Sequence, residues 1–260
     1  MEHLVATPCS APKWSLREVL AAHAELGFRK FEAFIGWVDS ALDPTADPAG
    51  YRDVAAEYGF RFTSMHLPAV KDDVEASLPK AIAAARFADA LGADVVLYKA
   101  TSRAGYIEAG GAFLDAIDGL GVTAVIQNHC GSPLNDVGDV LEVLDGVGDE
   151  RLKALLEVGH FQQAGVAWED AYEALQGRIA LVHVKDIAQG QPVPFGAGEI
   201  DFAALTARVL GDGYEGDWVV ELEGEACWSD PKRFLREAVE LLTPLIEGYR
   251  PDRHSVRQRG

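Results

Sequence analysis

Short apolar runs alternate with longer stretches of helical period along the whole chain, and the pair recurs eight times. The pattern predicts strands over residues 4–7, 30–34, 61–66, 95–99, 124–128, 153–157, 179–185 and 218–222. Between them lie amphipathic stretches such as residues 15–26, 74–91 and 201–210. Ser15 with Glu18 three residues on reads as a capping box, and Asp47 before Pro48 marks another helix start. Gly27, Gly59, Gly92 and Gly121 each stand shortly before a strand and read as helix stops. Alternating strands and helices with short connections give a parallel sheet, and eight such units favour closure into a (β/α)8 TIM barrel over an open sheet.

The length of 260 residues suits one barrel of this kind. A single barrel domain is expected over residues 1–248, followed by a basic C-terminal tail over 249–260 that ends in PDRHSVRQRG. With 48% hydrophobic and 25% charged residues, the composition is that of a globular chain. The 41 Asp and Glu outweigh the 23 Lys and Arg, and the resulting charge of −18 repels nucleic-acid phosphates and anionic lipid. Nucleic acid and membrane are therefore not expected partners, whereas metal ions and small neutral or cationic ligands stay open. The three cysteines Cys9, Cys130 and Cys227 show no CxxC spacing, and the N-terminus lacks the pattern of a secretory leader. A cytoplasmic protein, active as a homo-oligomer, is expected.

Barrels of this kind carry their chemistry at the C-terminal ends of the strands. Here those ends are polar: Glu32 on the second strand, His66 on the third, Lys99 on the fourth, Gln127, Asn128 and His129 on the fifth. Glu157 and then His160 follow on the sixth, His183 and Lys185 on the seventh, Glu221 and Glu223 on the eighth. Side chains alternate along a strand, so His183 and Lys185 share one face, as do Glu221 and Glu223, and the intervening Val182, Val184, Val220 and Leu222 face the helices. Gln127, Glu157, His183 and Glu221 can then meet around one point. Two carboxylates, an imidazole and an amide oxygen suit a divalent cation, Mn2+ or Mg2+ ahead of Zn2+, because no thiolate is present.

The segments QNHCGS (127–132), EVGHFQQAG (157–165), HVKD (183–186), PFGAGEIDF (194–202) and WVVELEGE (218–225) occur in an order and spacing that resembles the xylose isomerase-like TIM-barrel family. That group includes ketose 3-epimerases and inosose dehydratase. The resemblance covers residues 1 to about 248. It implies metal ligands at Gln127, Glu157, His183 and Glu221, with Mn2+ first and Mg2+, Co2+ or Zn2+ as alternatives. It also implies substrate contacts at Trp37, His66 and Lys99, with His160 and Lys185 beside the reacting atoms. Glu32 and Trp228 join the substrate-binding set from the second and eighth strand ends.

Two positions depart from the family pattern: Gln127 stands where Glu is usual, and Glu157 where Asp is usual. The amide still offers an oxygen to a metal but accepts no proton. In the family's epimerases the fifth- and eighth-strand carboxylates exchange the proton next to a carbonyl from opposite faces, so Gln127 removes one of the two. The resemblance thus implies a metal-dependent sugar or keto-sugar isomerase or epimerase working through an enediolate. Glu221 is the expected base, His129 or His160 the expected acid, and Glu157 and Lys185 stand beside them. A lyase performing β-elimination on a keto-sugar or keto-glycoside is the alternative, and a silent sugar-binding subunit is the non-enzymatic one. Phosphorylated substrates want clustered cations, and only Lys99, Arg103 and Lys185 fall near the mouth, so an uncharged sugar is expected. The two glycines of PFGAGEIDF are expected to turn the chain toward the helix starting at Ile200–Asp201 rather than to bind phosphate.

Overall fold

In a computed structural model, which describes residues 1–250, eight parallel strands close into a barrel. The first half of the chain runs β1 (Leu4–Ala6), α1 (Leu16–Glu25), β2 (Lys30–Ala33), α2 (Pro48–Glu57), β3 (Arg61–His66), α3 (Val74–Leu91), β4 (Val95–Leu97) and α4 (Arg103–Ala116). It continues with β5 (Thr123–Gln127), α5 (Val137–Val147), β6 (Leu152–Glu157), α6 (Val158–Gln163), α7 (Trp168–Leu175) and β7 (Ile179–Val184). A hairpin of β8 (Asp186–Ala188) and β9 (Gln191–Val193) precedes α8 (Phe202–Gly211), β10 (Trp218–Val220), α9 (Glu225–Trp228) and α10 (Pro231–Ile246). The barrel closes where β1 pairs with both β10 and β2. From residue 251 onward the expected basic tail lies outside the described residues.

The helix starts follow the local chemistry. Ser15 and Glu18 form the reciprocal capping box, and Asp47 caps α2 ahead of Pro48. Gly92 closes α3 in the left-handed region at φ 86°. The stop expected at Gly121 is a correction: α4 ends at Ala116 and the left-handed residue is Gly119, at φ 82°. Gly121 donates its N–H to Asp89 instead. Several strands are also shorter than the hydrophobic pattern predicts, β4 ending at Leu97, β7 at Val184 and β10 at Val220. The polar residues beyond these ends have left the ladder and stand at the barrel mouth.

Two layers fill the barrel. Val5, Leu97, Val125, Leu155, Leu181 and Val219 pack together as an apolar plug. Two residues further along those strands come Thr7, Lys99, Gln127, Glu157, His183 and Glu221. The period of two points each of them the same way as its plug residue, one step nearer the mouth. The alternate residues Val182, Val184, Val220 and Leu222 join the larger core between strands and helices, as their spacing predicts. Two register shifts re-aim the polar layer: one at Phe31/Glu32 sets Glu32 beside Ser64, and one at Ala154/Leu155 sets Glu157 beside His183.

Candidate functional site

The polar layer is a connected set of buried charges. His183 lies at its centre with carboxylates on both sides. Its Nε2 is 3.0 Å from Glu32 Oε2, and its Nδ1 is 3.1 Å from Glu221 Oε1 and 3.3 Å from Glu157 Oε2. Burial disfavours the charged ring, but Glu32 and Glu221 outweigh it and hold the His183 pKa well above its ordinary value. Glu221 is held well below the usual carboxylate range, the cost of burial being overcome by Lys185 and His183. Burial pushes the Glu157 carboxyl up, and the charge of Glu221 adds to the rise against the Lys185 ammonium.

Glu32 is fully enclosed and accepts hydrogen bonds from Ser64 Oγ and His66 Nε2 in addition to the His183 contact. The other nitrogen of His66 faces Lys99 Nζ at 2.7 Å, and the His66 ring stacks on Phe34 at 3.8 Å. Burial, with Lys99 adding to it, lowers His66 to about 4, so its ring is neutral. Because a lysine only donates, His66 Nδ1 accepts and Nε2 carries the proton toward Glu32.

Lys185 crosses the other half of the mouth. Its ammonium forms an ion pair with Glu221 Oε2 at 2.8 Å and hydrogen-bonds Glu223 Oε2 at 2.6 Å and His160 Nε2 at 3.1 Å. His160 Nδ1 is 2.8 Å from Gln163 Oε1, and Gln163 Nε2 donates to Gly190 O in the β8–β9 turn. Burial first, then Lys185, push the His160 pKa down to about 2, leaving a neutral ring with both nitrogens engaged. His129 stacks on it at 3.9 Å, is exposed, and bonds Cys130 O through Nδ1.

The remaining expected residues fall around this set. Gln127 ends β5 and is buried, opposite Leu155 of β6. Trp37 is 56% exposed with φ at 58°, an uncommon conformation for a bulky residue, and meets Phe34 edge-on. Trp228 donates its indole N–H to Cys9 O. The PFGAGEIDF loop is tied to the chain's own carboxylate, since Asp186 Oδ2 accepts from the N–H groups of Gly196 and Gly198. Those donors are thus unavailable to a phosphate.

Glu32, expected in the substrate-binding set, is enclosed in the buried network beside His183 and His66. Sequence reading assigned no role to three further residues here. Asn128 clamps β5 to β6 through both backbone groups of Glu157. Cys9 brings its thiol 3.9 Å from Glu221 Oε1. Gly159 gives Lys185 its path, because a Cβ there would lie 2.1 Å from Lys185 Cγ.

The donor set fits a divalent cation. Donor atoms of Glu32, His66, His183 and Glu221 all lie within 4.8 Å of one another in a buried tetrad that could chelate one. Without a metal, the flanking carboxylates favour a proton on each nitrogen of His183; as a metal ligand the ring is neutral, and the nitrogen without a proton offers its lone pair. On the Glu32 side, hydrogen bonds from Ser64 and His66 already serve the carboxylate. On the Nδ1 side, Glu157 Oε2 and Glu221 Oε2 are buried without a hydrogen bond, Glu221 Oε2 meeting Lys185 only as an ion pair. A cation at Nδ1 satisfies that side.

Comparison with known structures finds the same architecture. The D-allulose 3-epimerase from Methylomonas sp. superposes with a TM-score of 0.78 at 19% identity, over 94% of this chain and 98% of that one. An L-ribulose 3-epimerase gives 0.77 at 20% identity, over 95% of each. At these identities the likeness establishes the fold. Among curated proteins, the inosose dehydratase of Lacticaseibacillus casei is 22% identical over 143 residues, 47% of this chain and 48% of that protein. That of Mesomycoplasma hyopneumoniae is 23% identical over 146 residues, 48% of this chain and 49% of that protein. The chain spans about half the length of the curated relatives it matches. Residues 20–245, nearly the whole barrel, match the family model directly, and the chain belongs to the xylose isomerase-like TIM barrel family.

Proposed function

We propose that this protein is a metal-dependent enzyme that moves a proton next to the carbonyl of a sugar or keto-sugar, as an isomerase or epimerase. The observation that carries the reading is the convergence of Glu157, Glu221 and His183 Nδ1, with two carboxylate oxygens buried without hydrogen bonds, above an apolar floor. The names of the relatives, two 3-epimerases and a dehydratase, point to the same class of carbohydrate chemistry.

His183 through Nδ1, Glu157 and Glu221 would hold the cation, with the Gln127 amide oxygen completing the set. Glu32 orients His183 from behind by accepting from Nε2, the carboxylate–imidazole arrangement that fixes a ligand's ring and tautomer. When bound, a divalent cation supplies positive charge that polarises a carbonyl and acidifies the neighbouring C–H. Glu221 is ionised and is the base that takes that proton. Lys185 keeps Glu221 ionised and aimed. Of the two imidazoles expected as acid, His160 has both nitrogens engaged, so the role falls to His129, whose Nε2 has no partner among the described residues.

Gln127 favours a second reading. A neutral amide at the end of β5 leaves one base, which suffices for one-sided 1,2-isomerisation or for β-elimination but not for two-base epimerisation. The test is solvent deuterium incorporation into a panel of keto-sugars by metal-loaded protein, with metal content measured in parallel. Expected are about one metal per chain, exchange in the wild type, and loss of exchange but not of metal in Glu221→Asp. Metal and sugar binding without exchange or elimination would overturn the enzymatic reading in favour of a binding subunit.

A further inference from the structure

Two lysines reach the polar layer, and their surroundings are opposite. Lys185 is saturated by two carboxylates and an imidazole. Lys99 Nζ has one hydrogen-bond partner, His66 Nδ1, and among the described residues no carboxylate oxygen lies within ion-pair distance of it. His66 cannot compensate its charge, because its other nitrogen donates to Glu32 and its ring is fixed against Phe34. Two N–H groups of Lys99 are therefore unused.

The position of Lys99 is that of a ligand-facing group. It stands two residues beyond Leu97 of the plug, within electrostatic range of Glu221 and Cys9. In a chain with 41 acidic residues, a structural lysine would readily have been given a counterion. Arg103, the other cation near this edge, is tied to Asp139 and Glu142 and is not available.

We propose that Lys99 receives the carboxylate of an acidic sugar, a hexuronate or a related sugar acid, and so sets the substrate class of the site. Glu32 and His66 are its positioning residues. One ammonium with two free donors matches a carboxylate's single charge and two oxygens. A phosphate dianion calls for more cations than the mouth offers, since Lys185 and Arg103 are both committed. The proposal rests on the sugar-enzyme reading above.

The test is calorimetric binding to the metal-loaded full chain of D-glucuronate and D-galacturonate, their parent hexoses, and the hexose 6-phosphates. Uronates are expected to bind at least tenfold more tightly than the hexoses. Lys99→Met should cut uronate affinity roughly 10- to 100-fold, at least tenfold more than it cuts hexose affinity, and Lys99→Arg should restore part of the uronate loss. The wild-type comparison stands even if Lys99→Met fails to fold. Hexoses binding as well as uronates, or Lys99→Met weakening both equally, would overturn the proposal and leave the sugar reading intact. Preference for the 6-phosphates would overturn it in favour of a phosphate site. Binding of none of the three would remove the sugar reading and this proposal with it.

Discussion

Gly159→Ala isolates the contact that threads Lys185 into the mouth. Gly159 lies in α6 with ordinary helical backbone, so alanine there would by propensity alone stabilise the helix by up to about 1 kcal/mol. The surroundings reverse the sign. The new Cβ would lie 2.1 Å from Lys185 Cγ, 2.8 Å from Cδ and 3.2 Å from the Lys185 carbonyl oxygen. Carbon atoms in contact sit about 3.5–4.0 Å apart, so more than an ångström must open. If α6 moves, overpacking costs about 1–3 kcal/mol. If Lys185 swings out, Glu221 loses one of its two buried counterions and keeps only His183, at a cost of up to about 3–5 kcal/mol. Less the propensity gain, the cheaper route leaves a net loss of about 0–2 kcal/mol and the other about 2–4. In a chain of this size that lowers Tm by up to roughly 8 °C on the first route and by roughly 4–16 °C on the second. The measurement is thermal and urea unfolding beside Gly111→Ala in α4, where a Cβ meets nothing within 4 Å and a small gain is expected. Equal stability of the two variants would refute the reasoning and show that Lys185 relocates freely.

His23 is buried with Nδ1 bonded to Val19 O and Nε2 without a partner, and burial lowers its pKa from 6.5 to about 4. Its stability contribution is complete above pH 6.5 and is lost as pH falls toward 4, about 2 kcal/mol by pH 5, so wild type should lose that much more than His23→Leu between pH 7.5 and 5 in urea unfolding; parallel curves would exclude His23 as the source. Trp37 pays a left-handed backbone penalty while more than half exposed, so Trp37→Gly should gain about 1 kcal/mol in thermal unfolding and lose sugar affinity; lower stability with unchanged affinity would place Trp37 in the fold rather than in the site. Gln127→Glu should tighten divalent-metal binding in a chelator competition, since it adds a carboxylate to the proposed ligand set; weaker binding would take residue 127 out of that set.

The barrel was legible because its two periods are strong. Apolar runs fixed the strands, and alternation separated Val182 and Val184 from His183 and Lys185 before any coordinates. What the linear pattern hid depends on register. The shift at Phe31/Glu32 turns Glu32 inward beside Ser64, and no residue type announces a bulge of that kind. The β8–β9 hairpin was unreadable because its strands are three residues each and their polar anchors come from Asp186 and Gln163. His160 was legible as a residue after the sixth strand, and only the three-dimensional placing of Lys185 and Gln163 shows that both its nitrogens are engaged.

The plug of Val5, Leu97, Val125, Leu155, Leu181 and Val219 seals the barrel below the polar layer. The site is thus a blind well with a single door, and exchange through it is last in, first out. On the proposed function, a cation seated against His183 at the bottom would enter before a sugar and leave after it. If the proposed metal and sugar both occupy this well, a chelator should remove the metal no faster than the bound sugar departs, and saturating sugar should protect it, a kinetic order imposed by the six aliphatic side chains of the plug.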